Sequence, residues 1–325
     1  MRDAFTATLH ALAKKDKNIV LITGDLGFGV LNSFREDYPD QFINAGIAEQ
    51  AMTGMAAGMA IEGKTIFTYS IGNFPTLRCL EQIRNDCAYH NANVKIVCVG
   101  GGFVYGSLGM SHHATEDLAI MRALPDVVVM APGDVVEAEC ATKAIYEYPG
   151  TCYLRLGRGG EKRIHNKIEN FKIGKAIKIQ DGEEIAIFST GAIFDEVQEA
   201  CERLRNIGIF PALYTFPTVK PIDEAVITEC VARYDLIVTV EEHNILGGFG
   251  SAVAEVLAGC RSSKASLVKI GLNDTYSSIV GTQQYLRDYY GMSATKITQR
   301  IQDARDYYGL STRTVVLRKK EAVNE

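Results

Sequence analysis

The sequence predicts an α/β protein built from two doubly wound domains, and three observations lead there. Short apolar runs rich in β-branched residues recur along the chain, as parallel strands buried on both faces require. Segments with helical periodicity separate them, giving the succession of a parallel sheet with crossover helices. A polar, glycine-bearing stretch at 157–170 interrupts this alternation, which then restarts. The domains are therefore expected at 1–165 and 180–315. A chain of 325 residues, 47% of them hydrophobic, is long enough to bury a core in each.

In the first domain the expected strands are 18–22, 65–69, 94–99, 126–130 and 151–156, with helices at 4–14, 49–61, 76–90 and 134–148. In the second, strands at 185–189, 210–214, 236–240 and 267–270 alternate with helices at 194–206, 223–232 and 250–259, and a helical tail starts near 283. The tail carries the word Arg-Asp-Tyr-Tyr-Gly twice, at 287–291 and 305–309. Two short copies make no solenoid, and both read as amphipathic helix ends stopped by glycine. Gly247-Gly248-Phe249-Gly250 lacks the spacing of a dinucleotide-binding turn and reads as close strand-to-helix packing.

Composition excludes several classes of function. The net charge of −5 comes without a basic stripe, so nucleic acid is not an expected partner. No apolar run approaches the roughly 20 residues of a membrane span, and the first residues lack a signal-peptide core, so a cytoplasmic protein is expected. The eight cysteines are scattered, without a C-x-x-C pair, and read as reduced core residues. His112-His113 cannot present two rings on one helical face, so no metal site is expected in this chain.

The chemistry starts at Gly46-Ile47-Ala48-Glu49-Gln50, followed by a run of alanine, glycine and methionine to Ala60. A single acid in the first turn of an otherwise apolar, closely packing helix is expected to be buried, and buried carboxyls serve where a proton must be held or shared. The plainer reading is that Glu49 opposes the positive end of the helix, worth a few tenths to about 1 kcal/mol. The helix by itself leaves both open.

Further words occur in order: Gly24-Asp25-Leu26-Gly27 before the Glu49 segment, then Gly109-Met110-Ser111-His112-His113-Ala114-Thr115-Glu116-Asp117, Met121-Arg122-Ala123-Leu124-Pro125 and Ala131-Pro132-Gly133-Asp134. Together they resemble the pyrimidine-binding part of the transketolase family, which includes deoxyxylulose-phosphate synthase and the β subunits of 2-oxo acid dehydrogenases. Val240-Glu241-Glu242-His243 and the glycine word after it resemble the family's C-terminal domain, so the likeness runs from Arg2 to about Gly309.

That resemblance implies thiamine diphosphate as cofactor, with Glu49 bonding N1′ of its aminopyrimidine so that the cofactor activates itself. It implies Tyr69 or Phe74 as the stacking aromatic, Arg78 as an active-site arginine, and His112 near the substrate hydroxyls and the reacting carbon; His113, at a position that is usually not histidine, is either a second contact or a mere neighbour. Arg158 and Arg2 match a sugar-phosphate clamp, and Arg155 lies close to it on the strand. Two positions depart from the family's pattern: Leu108 stands where a hydroxyl-reading carboxylate is usual, and Gly100 where a histidine assists phosphate binding. A less polar or differently branched acceptor is then expected.

The family's magnesium word, Gly-Asp-Gly with a later asparagine, has no counterpart here. Mg2+ and the diphosphate are therefore expected on a partner, an N-terminal transketolase subunit of about 250 to 300 residues, in an α2β2 assembly. The leading expectation is one subunit of a split transketolase, moving a two-carbon ketol unit from a ketose to an aldehyde or ketone. The alternatives are a thiamine-dependent 2-oxo acid decarboxylase component and a non-catalytic assembly subunit.

Overall fold

A computed structural model describes residues 1–260 and 265–310; the last residues of the expected second domain, 311–315, lie outside it. Strands β1 (Ile19–Thr23), β2 (Phe42–Asn44), β3 (Thr65–Ile71), β4 (Val94–Val99), β5 (Val128–Met130) and β6 (Cys152–Leu156) are mutually parallel in the order β5-β6-β4-β3-β1-β2. All but β2 are almost wholly buried, which is why they read as continuous apolar runs. The short β2 is half exposed and carries no such run, so the sequence did not announce it.

The second sheet runs β12-β11-β8-β9-β7, from β7 (Ile177–Gln180), β8 (Ile185–Thr190), β9 (Ala212–Thr215), β11 (Leu236–Asn244) and β12 (Ser266–Leu272). Only β7 is antiparallel in it, on the edge beside β9. The remaining strand, β10 (Thr218–Lys220), crosses over. It pairs antiparallel with β5 and becomes the seventh strand of the first sheet, Thr218 opposite Met130. One apolar cluster accordingly runs through both domains, joining Val129, Ala131 and Tyr153 to Phe216 and Phe249.

Most helices stand where periodicity put them, including Glu49–Ile61, Val135–Glu147 and Phe194–Asn206. The tail forms Gln283–Tyr289 and Ala294–Tyr307, each followed by a glycine at positive φ, Gly291 and Gly309. The expected helix 76–90 is a correction. Turns occupy residues 72–79, and a single helical turn, Leu80–Gln82, leads into a π-helix, Ile83–Ala88. Side-chain bonds to the backbone hold the turns instead: Thr76 Oγ1 donates to Gly72 O at 3.2 Å and Cys79 Sγ to Phe74 O at 3.3 Å.

Candidate active site

The carboxyl ends of β1, β3, β4 and β6 lie side by side, and the sequence order reverses at β1, which sits between β2 and β3. Doubly wound sheets hold ligands at such a place. Glycines 24, 72 and 100 follow three of these strands directly and let loops fold close to the edge.

Glu49 opens its helix and is only 3% exposed. Its Oε2 accepts a hydrogen bond from Arg78 Nη1 at 2.7 Å, while Oε1 accepts none among the described residues. The Arg78 guanidinium stands 4.8 Å from the centre of the Phe74 ring. Phe74 in turn meets His112 edge to face at 5.2 Å, and the Ser111 hydroxyl lies 3.0 Å from His112 Nδ1. Glu49, Arg78, Phe74 and His112 thus form one cluster, acid innermost and cation half exposed.

Of the two aromatic candidates, Tyr69 lies apart from this cluster. Its ring is buried and stacks on Phe5 with centroids 6.0 Å apart. Burial pushes its phenol well up, with Tyr105 adding to this and Arg2 opposing it. Arg158 lies 5.6 Å from the centre of the Tyr105 ring, and both Arg158 and Arg2 counteract the upward push of burial on that phenol. Arg2 also pairs with Asp3 at 2.9 Å.

His113 and Arg155 are turned inward, and neither reaches the edge as expected. His113 is buried edge-on to Phe103, and burial drives the pKa of its imidazole down. Arg155 is buried between the domains. It bonds Asp117 Oδ2 at 2.8 Å and the carbonyls of Ala114 and Glu242 at 2.7 and 3.0 Å.

The Val-Glu-Glu-His word has a structural use that sequence reasoning missed. Glu241 accepts the N–H groups of Phe249 and Gly250, both at 2.7 Å, and so caps the next helix. Glu242 reaches across the domain boundary: Oε1 accepts Phe103 N–H at 2.6 Å, and Oε2 takes Arg287 Nε at 2.7 Å. A β-carbon on Gly102 would stand 2.6 Å from the Glu242 carboxyl, so only glycine fits there. His243 accepts from Ala119 N–H at 3.4 Å and lies inside, away from the edge. This network anchors the loop that presents Tyr105, Leu108 and His112. Acids set in a buried strand were the available signal. A cleft lined by Arg122, Lys220, Glu255 and Cys260 shares no residue with these clusters.

Known proteins resemble this chain over nearly its whole length. Residues 1–160 match the family described as transketolase, pyrimidine binding domain, and residues 174–297 match transketolase, C-terminal domain. A putative transketolase C-terminal section from Methanocaldococcus jannaschii is 40% identical over 306 residues, 93% of this chain and 95% of that protein. One subunit of the apulose-4-phosphate transketolase from Phocaeicola vulgatus is 36% identical over 259 residues, 79% of this chain and 83% of its own. Among solved structures, a split gene transketolase described as an inactive beta4 tetramer superposes with a TM-score of 0.86 at 34% identity, covering 93% of this chain and 97% of that one. Proteins named 1-deoxy-D-xylulose-5-phosphate synthase match as well, and the chain spans about half of their length, 47% in one case.

Proposed function

The chain belongs to the transketolase family, and from that premise we propose that it is the C-terminal subunit of a split transketolase. It transfers a two-carbon ketol unit from a ketose to an aldehyde or ketone, together with a partner subunit that carries the diphosphate and Mg2+ site. One observation carries this reading: a buried carboxylate with one oxygen unengaged, set beside an aromatic ring at the sheet's carboxyl edge.

These residues fit an aminopyrimidine. Glu49 Oε1 would hold the proton at N1′, Arg78 orients the carboxylate through its other oxygen, and Phe74 offers a ring face. When bound, thiamine diphosphate supplies the nucleophilic carbon and the electron sink for cleaving a bond next to a ketone carbonyl. His112 would meet substrate hydroxyls, and Arg2 with Arg158 an anionic end. Leu108 is 54% exposed on the same loop and offers no carboxylate, which favours a less polar acceptor.

A partner surface is supported by the helix Glu49–Ile61. β-Carbons added at Gly54 or Gly58 would touch nothing within 4 Å, and Met55 and Ile61 lie exposed beside them. Small residues that serve no packing inside the chain suit a close helix contact with another subunit, here assigned to an α2β2 tetramer. No described helix is long and apolar enough to cross a membrane, and a cytoplasmic location accords with eight free cysteines.

Calorimetry with thiamine diphosphate and Mg2+ tests this proposal, on the chain alone and co-expressed with the product of an adjacent gene. Binding by the pair only is expected; tight binding by the lone chain overturns the shared site. The synthase relatives favour one second reading, a 2-oxo acid decarboxylase, and carbon dioxide released from a 2-oxo acid would select it.

A further inference from the structure

Gly100 follows β4 with φ +95°, and a β-carbon built on it would stand 2.3 Å from Cδ2 and Cε2 of Tyr105. The Tyr105 ring therefore fills the volume that any side chain at position 100 would need. Its backbone is fixed on both sides: Leu108 N–H donates to Tyr105 O at 2.9 Å, and the nearby Phe103 N–H is held by Glu242. The ring packs on the core of the first domain with the Arg158 guanidinium 5.6 Å from its centre, and the charges of Arg158 and Arg2 both act on its phenol. The Tyr105 hydroxyl makes no hydrogen bond among the described residues, and the residue is only half-buried, so the O–H is open to a ligand. The Arg158 guanidinium beside an O–H donor without a partner, with Arg2 acting on the same phenol and only its Nε taken by Asp3, forms a site for an oxyanion.

Building on the reading that Arg2 and Arg158 hold the anionic end of a sugar substrate, we propose that Tyr105 is a third binding residue of that subsite, its phenol donating a hydrogen bond to the terminal oxyanion. The shared ligand chemistry is a tetrahedral oxyanion, phosphate or sulfonate. Because the donor reaches in from position 105 and leaves position 100 bare, the phenol takes over the polar contact that a side chain at 100 would otherwise make.

The chain contains 15 tyrosines and no tryptophan, so its near-ultraviolet difference spectrum reports tyrosine environments. Titration of the full chain with inorganic phosphate is expected to perturb that spectrum. Tyr105→Phe, which keeps the ring and its packing, is expected to remove the perturbation and weaken phosphate binding about tenfold, the effect of one hydrogen bond to a charged group. Inorganic sulfate, standing in for a sulfonate, distinguishes the two sources by its relative affinity. In the assembled enzyme the same variant should raise KM for a phosphorylated ketose about tenfold with kcat within twofold, and leave KM for the unphosphorylated ketose unchanged. Equal KM effects on both ketoses would mean that the ring only packs, and would overturn the proposal. If Arg158→Met abolishes phosphate binding while Tyr105→Phe does not weaken it, the role of Tyr105 fails and the arginine subsite stands. If the unaltered chain shows no response to either anion, the arginine reading fails with it.

Discussion

Glu49 shows how burial and partnership divide one carboxylate between structure and chemistry. Arg78 engages Oε2 from the solvent side, and Oε1 stays available at the edge of the sheet. Glu49→Gln keeps the shape and removes the ionisable group. With the partner subunit present, turnover should fall at least about a hundredfold, the usual minimum contribution of a positioned acid or base. Size-exclusion chromatography should show assembly intact; unchanged turnover would leave the assembly-subunit reading standing. At the same scale, sequence resemblance read arginines and histidines as equals, and the structure separated them by direction. His112 faces the edge and its neighbour His113 faces inward, as adjacent residues on a turn must. Arg158, in the loop after β6, is offered to the edge, whereas Arg155, on β6 itself, is spent between the domains.

At the scale of elements, the helix Val135–Glu147 and the linker after β6 are held by two acids. Asp134 Oδ1 caps the helix through Val136 and Glu137 N–H at 3.0 and 2.8 Å, and Oδ2 takes the linker N–H groups of Ile164 and His165, both at 2.9 Å. Asp134→Ala removes the cap and strands two linker amides, so urea denaturation should show a loss of about 2 to 4 kcal/mol. Glu137 bonds the His165 ring at 2.8 Å. Burial opposes charge on that ring, but the Glu137 hydrogen bond and the charges of Glu137 and Asp134 outweigh it and raise its pKa. The folded value then lies above the unfolded value of about 6.5, so the pair's stabilisation is complete below that pH and is lost as pH rises through the folded value. Unfolding midpoints measured between pH 6 and 8 should show the wild type losing its advantage over His165→Gln as pH rises. This anchor was illegible beforehand: 157–170 read as a polar break, and only tertiary packing brings His165 to Glu137.

Over the whole molecule, the two domains are not separable units. β10 leaves the second domain to cover the β5 edge, and Pro217 O accepts the Ala131 N–H at 2.9 Å. A fragment of residues 1–165 would expose that edge together with the apolar face that packs on Phe216 and Phe249. Such a fragment is expected to aggregate, as sedimentation would show, while the full chain unfolds in one cooperative step. Arg287 carries a related prediction. It bonds Glu242, Asp195 and the Ala192 carbonyl, and Arg287→Met would leave the Glu242 carboxylate buried without its cation. A loss of about 3 to 5 kcal/mol is expected by chemical denaturation. Proteolysis within 100–113 should also accelerate, since Glu242 holds that loop at Phe103.

What the sequence determined by itself was the alternation of buried strands and amphipathic helices, the burial of Glu49, and a set of words specific enough to imply one family. Those features are local, because periodicity and short-range spacing are written in neighbouring residues. Only the tertiary structure decided which side of the sheet each candidate faced, that Tyr69 belongs to the core and Tyr105 to the edge, and that the second domain completes the first sheet. These depend on contacts between residues far apart in the chain, Gly100 and Arg158 with Tyr105, Glu242 with Phe103, Thr218 with Met130. Their partners are chosen by the way layers pack, and local pattern holds no record of that choice.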